Sequence, residues 1–182
     1  ESSIAHHLNY YMQIFSFFDI IQTKIGSIRI EYSANGIKKI IWPRQTNFGF
    51  SNKDNIYIKS ELFNRKKIKS LDLDLVEYFE GKNKDFSRYH IDLSGFSDFA
   101  KHTLNLCRKI PYGETKSYQW IAENINSPLS YRAVGQALAR NPCPIIIPCH
   151  RIVSKQGKLT GYGGKQNNIA LKKFILNLES CF

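Results

Sequence analysis

The segment at residues 143–152 constrains the fold of this chain more than any other. Three consecutive isoleucines occupy positions 145–147 between Pro144 and Pro148, and Cys149 and His150 follow directly. The two prolines pin a short apolar run, which is typical of a buried segment. A free cysteine is often only a small buried hydrophobe. Here the adjacent imidazole, with Arg151 after it, favours the thiolate, so the pattern predicts a reactive sulfur at the end of that segment.

The stretch just before this segment, residues 115–140, predicts two short helices. Ser117 is a suitable N-cap for the first helix, the Asn-Ser-Pro run at 126–128 ends it, and Ser130 can cap the second. The inward stripe of the second helix is Ala133, Val134, Ala137 and Leu138. Its outer face carries Tyr131, Arg132, Gln136 and Arg140. This pattern is typical of a DNA-binding helix-turn-helix, although a helical hairpin with a basic solvated face shares it.

The positive charge of the chain is concentrated in its second half. Residues 101–182 contain 12 Lys and Arg against 3 Asp and Glu, whereas residues 1–100 contain 14 against 12. Such an asymmetry is the electrostatic signature of a polyanion partner. A basic protein with no nucleic-acid role is the alternative that charge alone leaves open.

The remaining composition excludes several classes of protein. There is no apolar stretch near 18 residues, and the first residues lack a basic region followed by an apolar one, so neither a membrane span nor a secretory signal is expected. Four scattered cysteines fit a reducing compartment and not a disulfide scaffold. A metal site at Cys143, Cys149 and His150 is possible, but its ligand spacing is poor, and no metal is expected.

The first half predicts a small sheet followed by a helix. Residues 18–30 and 37–42 are rich in β-branched and aromatic side chains, and Asn35-Gly36 between them is a strong hairpin signal. Residues 71–80 suit one helical face that Gly81 closes. A further helix is expected over 96–109. The predicted class is α/β, with an N-terminal domain at 1–92 and a mainly helical C-terminal domain at 93–182.

Four stretches carry a resemblance to a known family. They are IPYGETKSY (110–118), YRAVGQALARNPCPIIIPCHRIV (131–153), GKLTGYGG (157–164) and KKFILNLE (172–179). In this order they closely resemble the O6-alkylguanine-DNA alkyltransferases, also called methylated-DNA–protein-cysteine methyltransferases. The resemblance continues more weakly from about residue 19. It implies a ribonuclease-H-like N-terminal domain and a C-terminal domain with a helix-turn-helix.

The resemblance also implies roles for five residues in the chemistry. Cys149 would accept the alkyl group from O6-alkylguanine, and possibly from O4-alkylthymine, in double-stranded DNA, in a single turnover without a cofactor. His150, held by Glu179, would deprotonate the cysteine through a water molecule. Tyr118 would donate a proton to guanine, and Asn141 would brace the segment. Composition alone would favour a solvated Glu179.

The DNA contacts and the pocket follow from the same resemblance. Arg132 would fill the vacancy that the flipped base leaves in the duplex, although an ordinary phosphate contact is the simpler interpretation. The second helix would enter the minor groove, and its small residues Ala133 and Gly135 would permit a close approach. Further DNA contacts are expected from Tyr131, Arg140 and Arg151. The pocket would be closed by Ile152, Tyr162, Gly163 and Gly164.

The chain departs from the family pattern after the glycine-rich loop, where KQNN (165–168) adds about four residues before the last helix. This leaves the range of accepted alkyl groups open. The alternatives are a relative that binds lesions without transfer, a Cys-His hydrolase and a helix-turn-helix regulator. The lesion-binding relatives replace the acceptor cysteine, which Cys149 argues against. We expect a monomer in a bacterial cytoplasm, with a nucleus as the other possibility.

Overall fold

The computed structural model describes residues 17–42, 65–163 and 168–180. The chain divides into two compact units, one of Glu1–Glu80 with Tyr89–Asp92 and the other of Gly81–Arg88 with Leu93–Phe182. Strands and helices are both present, which agrees with the predicted α/β class. The ribonuclease-H-like type of the sheet and a domain boundary at residues 92 and 93 stay predictions.

The first unit contains a three-stranded antiparallel sheet. Its strands are β1 (Phe17–Thr23), β2 (Gly26–Ser33) and β3 (Gly36–Ile41), in that order across the sheet. The predicted hairpin at Asn35-Gly36 joins β2 to β3. The predicted single run at 18–30 is wrong, because a second hairpin divides it where Gly26 takes a φ of 110°. Its apolar residues continue on both sides of that turn, so composition does not reveal it.

Helix α1 (Arg65–Phe79) covers the apolar face of this unit, and it begins before the predicted residue 71. Leu71, Leu75 and Tyr78 are buried from the helix, and Ile28 and Ile30 from β2. Their burial supplies the hydrophobic stabilisation that a small sheet needs. The His90 backbone approaches Gly36 so closely that only glycine fits there. A Cβ at Gly36 would lie 2.6 Å from the His90 carbonyl oxygen.

The second unit carries the remaining elements in chain order. They are α2 (Asp98–Arg108), β4 (Lys116–Ser117), α3 (Tyr118–Asn124), α4 (Tyr131–Ala139), a 3-10 helix (Cys149–Arg151), β5 (Ile152–Val153) and α5 (Ile169–Leu178). Strands β4 and β5 pair in parallel, with Lys116 opposite Ile152. This pairing places the start of α3 beside the segment that contains Cys149. Within the described ranges, none of the helices combines the length and apolar character required to cross a bilayer.

Of the two N-caps predicted for α3 and α4, the structure contains one. Ser117 Oγ accepts a hydrogen bond of 2.9 Å from the Trp120 backbone nitrogen, which confirms the predicted cap. Asn126 has a φ of 57° in the turn after α3. Ser130 precedes α4, but its side chain makes no capping bond, so that part of the prediction is wrong. Ala133 is exposed and not part of the inward stripe, because the buried face is narrower than expected and consists of Val134, Ala137 and Leu138.

Candidate active site

The backbone around Cys149 is braced by one amide side chain. Asn141 Nδ2 donates to the Ile147 carbonyl at 2.8 Å, and its Oδ1 accepts from the Cys143 backbone nitrogen at 3.0 Å. The same Nδ2 lies 3.0 Å from Cys149 Sγ. Asn141 therefore lies where it can brace the segment, as the resemblance implies. Its contact with the Cys149 sulfur was not expected from the sequence. A donor at the sulfur favours the thiolate over the thiol.

The braced segment contains a strained residue. Ile145 has a φ of 73°, in the left-handed region that β-branched residues rarely adopt, and it is buried. Such a conformation costs about 1–3 kcal/mol and persists where surrounding contacts determine it. Here the Ile147 nitrogen donates to the Cys143 carbonyl at 2.8 Å, which adds to the brace from Asn141. The left-handed turn at Ile145 thus lies inside the braced segment that leads to Cys149.

Three charged or polar side chains form a buried network behind Cys149. His150 Nε2 lies 2.9 Å from Glu179 Oε1. Arg151 Nη2 donates to the same oxygen at 2.8 Å, and its Nε donates to Oε2 at 2.8 Å. All three residues are buried, so the interactions act in a medium of low dielectric. Although it lies 29 residues away along the chain, Glu179 is thus the carboxylate that orients His150.

The protonation states of this network follow from its geometry. Burial opposes ionisation of Glu179, but the hydrogen bonds and charges of His150 and Arg151 outweigh it and hold its pKa well below the usual range. Burial lowers the pKa of His150, although Glu179 raises it, so a neutral imidazole prevails at pH 7. With Nε2 facing a carboxylate, the single ring proton belongs on Nε2. The Nδ1 lone pair is then the basic position.

The thiol of Cys149 is less acidic than the sequence suggests. Burial raises its pKa, and the bond from Asn141 and the charge of Lys172 lower it without overcoming burial. Burial thus acts against the thiolate that the neighbouring His150 and Arg151 favour in the sequence. In the fold, His150 and Arg151 are directed at Glu179, to which both are hydrogen-bonded. A thiolate at this position must form when a base removes the proton.

The structure also corrects the prediction for Arg151. Sequence proposed a DNA contact, yet its side chain is buried and its guanidinium is committed to Glu179 and to the Ile110 carbonyl. A side chain with these bonds cannot reach phosphate without breaking a buried ion pair. Its place in the molecule is structural support of Glu179.

Cys149 opens into a cavity of about 370 Å³. The residues that line it besides Cys149 are Tyr118, Gly135, Leu138, Ala139, Gly161, Tyr162 and Gly163. Tyr162 and Gly163 thus lie where the sequence placed them. Ile152 has no exposed surface and does not line the cavity, because its side chain packs into the core beneath it. The predicted Gly164 lies outside the described residues.

Tyr118 forms one wall of the cavity. Its ring lies against Gly135 of α4, where a Cβ would be 3.7 Å from the ring. Thr160 Oγ1 lies 3.4 Å from Tyr118 Oη, which connects this wall to the loop that carries Gly161. Burial raises the pKa of Tyr118, so its phenol is protonated at neutral pH and available as a donor.

A larger groove of about 1220 Å³ shares Tyr118, Gly135 and Gly161 with the cavity. Its other lining residues are Gln119, Tyr131, Arg132, Ser154, Lys155, Gln156 and Thr160. Arg132 is exposed, and its Cζ lies 6.0 Å from the Tyr131 ring centroid. Ala133 of the same helix and Arg140, which directly follows that helix, are also exposed but do not line the groove. The lysine and arginine side chains make this groove attractive to an anion.

Sequence reasoning did not single out Lys172, which is fully buried in α5. Its Nζ donates to the carbonyls of Ile152, Thr160 and Gly161. A lysine in an amphipathic helix is normally a solvated residue, so no sequence signal distinguished it. Across residues 17–42, 65–163 and 168–180, no group of three or more His, Cys, Asp and Glu side chains is placed to hold a metal ion.

The chain is similar to known proteins over most of its length. Residues 98–181 match the family model described as 6-O-methylguanine DNA methyltransferase, DNA binding domain. The methylated-DNA–protein-cysteine methyltransferase of Methanosarcina barkeri is 37% identical over 164 residues, which cover 90% of this chain and 96% of that protein. The constitutive enzyme of that name from Bacillus subtilis is 45% identical over 105 residues, or 58% of this chain and 61% of the relative.

A solved structure shares the fold over nearly the whole length. The crystal structure of Mycobacterium tuberculosis OGT in complex with DNA superposes with a TM-score of 0.69 at 31% identity, and the match covers 90% of this chain and 92% of that one. Near-complete coverage at this identity extends the relationship beyond the segment around Cys149. The chain therefore belongs to the methylated-DNA–protein-cysteine methyltransferases, a family of DNA repair enzymes.

Proposed function

We propose that this protein repairs DNA by moving the alkyl group of O6-alkylguanine irreversibly to Cys149. The observation that carries the proposal is the arrangement of one half-buried thiol at the cavity beside a His150–Glu179 pair. The cavity adjoins a groove lined by basic side chains, with which it shares Tyr118, Gly135 and Gly161. Substrates of the related proteins, as their names state, are methylated DNA and a protein cysteine.

The transfer is a displacement at the alkyl carbon. His150 Nδ1 accepts the thiol proton through a water molecule, and the sulfur then attacks the carbon. The bond from carbon to guanine O6 breaks, and its electron pair remains on the base. Tyr118 donates a proton to the base as this charge develops. It can do so because its phenol is protonated at pH 7. The proton held by His150 then returns through solvent to the Tyr118 phenolate, so the net result moves one proton from the thiol to guanine and leaves a thioether.

The product explains why one molecule acts once. A thioether sulfur carries no proton for His150 to remove. The Cys149 thiolate is also a poor leaving group from its alkyl carbon, so the acceptor is consumed. The reaction needs no cofactor, because the alkyl group itself is the group transferred. O4-alkylthymine presents a similar bond between oxygen and an alkyl carbon, and we propose it as a possible second substrate class.

Access to the sulfur requires the base to leave the duplex. The cavity lies behind the groove, so a base within the stack would not reach Cys149. We propose that α3 and α4 act as a helix-turn-helix with α4 in the minor groove. Arg132 would occupy the vacated position in the stack, with Tyr131 beside it. Ala133 and Arg140 would contact the backbone, and the protein would act as a monomer.

Mass spectrometry of the protein after incubation with methylated duplex tests the transfer. We expect the mass to rise by one methyl group, located on Cys149 after proteolysis, with a yield of one per molecule. A stable complex with the lesion and no added mass would instead identify a lesion-binding relative without transfer. Repeated turnover without modification would identify a hydrolase.

Replacing Arg132 with alanine should separate base flipping from chemistry. If Arg132 fills the vacated stack, Arg132→Ala slows repair of duplex DNA by about tenfold or more, even at saturating protein. Reaction with the free base O6-benzylguanine needs no flipping and should proceed at nearly the wild-type rate. Single-turnover rates on both substrates measure the difference.

Arg140→Ala is the matched control for this prediction, because Arg140 is an exposed arginine at the end of the same helix and away from the cavity. Its loss should weaken binding modestly, and saturating protein should restore the duplex rate. The flipping role of Arg132 would be wrong if Arg132→Ala behaved like this control. Equal loss on duplex and free base would point to damage to the pocket.

A further inference from the structure

Tyr118 and Thr160 meet at the boundary between the cavity and the groove. Tyr118 lines both spaces, whereas Thr160 lines the groove alone, in the loop that also carries Gly161. Thr160 Oγ1 donates a hydrogen bond of 3.4 Å to Tyr118 Oη. The two residues are 42 positions apart in the chain, so only the fold brings these hydroxyls together. A donor thus faces the oxygen that the proposed reaction deprives of its proton.

The direction of this hydrogen bond suits an acid. Because Tyr118 Oη accepts from Thr160, the phenol keeps its own proton for the base that enters the cavity. Once that proton has gone, the hydroxyl donates to a phenolate, and bonds to a charged acceptor are shorter and about twice as strong. The 3.4 Å separation exceeds the about 2.7–2.8 Å typical of two hydroxyls, so the bond can shorten as the charge develops. An interaction that strengthens in the transition state raises the rate.

The surroundings of Tyr118 otherwise oppose loss of its proton. Burial raises the pKa of the phenol, and thiolates at Cys149 and Cys107 would raise it further. The bond from Thr160 has the opposite effect and lowers the pKa of Tyr118. Among these influences, only the Thr160 hydroxyl favours the phenolate.

The backbone holds Thr160 in place. Its carbonyl oxygen accepts a hydrogen bond of 2.8 Å from Lys172 Nζ. Threonine is also branched at Cβ, which restricts rotation about χ1 and limits the directions in which the hydroxyl can point. The residue is exposed and does not line the cavity, so its hydroxyl can be removed without changing the cavity walls.

We propose that Thr160 is a positioning residue of the transfer reaction, whose hydroxyl orients the Tyr118 phenol and stabilises the phenolate that forms when Tyr118 protonates the base. The inference rests on the proposed transfer to Cys149 with Tyr118 as the acid. In this step the O–H bond of Tyr118 breaks, its proton goes to the base, and the electron pair stays on Oη, to which Thr160 donates. Thr160 itself loses no proton.

Thr160→Val removes the hydroxyl and keeps the branched shape of the side chain. We expect the single-turnover rate on a methylated duplex to fall by about tenfold at saturating protein, with duplex affinity nearly unchanged. Thr160→Ser keeps the hydroxyl and should recover most of the rate. A wild-type rate for Thr160→Val would overturn the inference, as would a Thr160→Ser variant that is equally slow. Thr115→Val is the matched control, because Thr115 lines neither the cavity nor the groove, and it should keep the wild-type rate.

A double-mutant cycle determines whether Thr160 acts through the phenol. In Tyr118→Phe, which has no hydroxyl to stabilise, Thr160→Val should slow transfer no further. If Thr160→Val slowed Tyr118→Phe and the wild type by the same factor, Thr160 would act by another route and the inference would be wrong. Circular dichroism establishes that each variant is folded. Thr160→Ala, which also lacks the hydroxyl, takes the place of the valine variant if that variant does not fold.

A titration without substrate separates this inference from the proposed function. The pKa of Tyr118 is measured by NMR on isotope-labelled tyrosine, and Tyr118→Phe assigns its signal. Thr160→Val should raise the pKa of Tyr118 above its wild-type value, Thr115→Val should not, and an unchanged pKa in Thr160→Val would overturn the inference. If wild-type protein gains no methyl group on Cys149, the proposed function fails and the role of Thr160 in transfer falls with it. If it gains the methyl group, the cycle and the titration decide the inference by themselves.

Discussion

Replacing Cys149 with serine should abolish transfer while leaving duplex binding largely intact. We expect the rate to fall by about a thousandfold or more, because a serine hydroxyl ionises far less readily than a thiol and is a weaker nucleophile. Binding should persist, since Tyr131 and Arg132 line the outer groove and do not depend on the sulfur. Transfer of radiolabelled methyl groups and fluorescence anisotropy of a labelled duplex measure the two properties.

The control for this prediction is Cys143→Ala. Cys143 is another free cysteine of the second unit, six positions before Cys149, but it is fully buried and does not line the cavity. Its replacement should retain transfer after a correction for any loss of stability. Measurable repair by Cys149→Ser would exclude Cys149 as the acceptor, and loss of repair only in Cys143→Ala would move the acceptor to Cys143.

Glu179→Gln should damage both stability and chemistry. The neutral amide leaves Arg151 buried without its carboxylate, and breaking such a pair costs about 3–5 kcal/mol in the free energy of unfolding. The amide also no longer holds the proton of His150 on Nε2. By analogy with other oriented bases, the transfer rate should then fall by roughly a hundredfold or more. Chemical denaturation and single-turnover kinetics below the unfolding midpoint separate the two effects.

The stability effect has a defined pH dependence. The folded protein holds the pKa of Glu179 well below its unfolded value, so its contribution is present above about pH 4.3 and is lost as the pH falls through the folded pKa. The difference between wild type and Glu179→Gln should thus be largest near neutral pH and shrink on acidification below about pH 4.

Glu114→Gln is a matched control for the same chemical change. Glu114 is exposed and pairs with Lys116 at 3.1 Å, and a surface pair of this kind contributes little. It should leave the free energy of unfolding and the transfer rate nearly unchanged. If Glu179→Gln proved equally mild, the buried network would not support His150 in the way proposed.

Sequence alone identified the elements whose signals are local. The hairpin at Asn35-Gly36 and the Ser117 cap each depend on neighbouring residues, and the structure contains both. The buried face of α4 is local too, and it is as predicted except for Ala133, which is exposed. The candidate acceptor Cys149 was recognisable for the same reason, because its segment carries the distinguishing residues contiguously. The family relationship, too, followed from four stretches of the chain.

Properties that depend on distant residues were decided only by the tertiary structure. Arg151 looks like a surface cation in sequence, but the fold commits its guanidinium to Glu179, 28 residues away. The same burial that unites this network raises the pKa of Cys149, which its sequence neighbours alone would have lowered. The burial of a side chain and its pairing with distant residues depend on how the whole unit packs, so no local sequence pattern encodes them.

Lys172 shows this division most clearly. Its identity and helical position are local, and both are ordinary for a solvated residue. Only the packing of α5 against β5 and the cavity loop buries its ammonium and surrounds it with three carbonyls. The sequence thus identified Cys149 as the candidate acceptor and the family to which the chain belongs. The charges around that sulfur follow from the packed fold, because desolvation and distance set the energies of ionised groups.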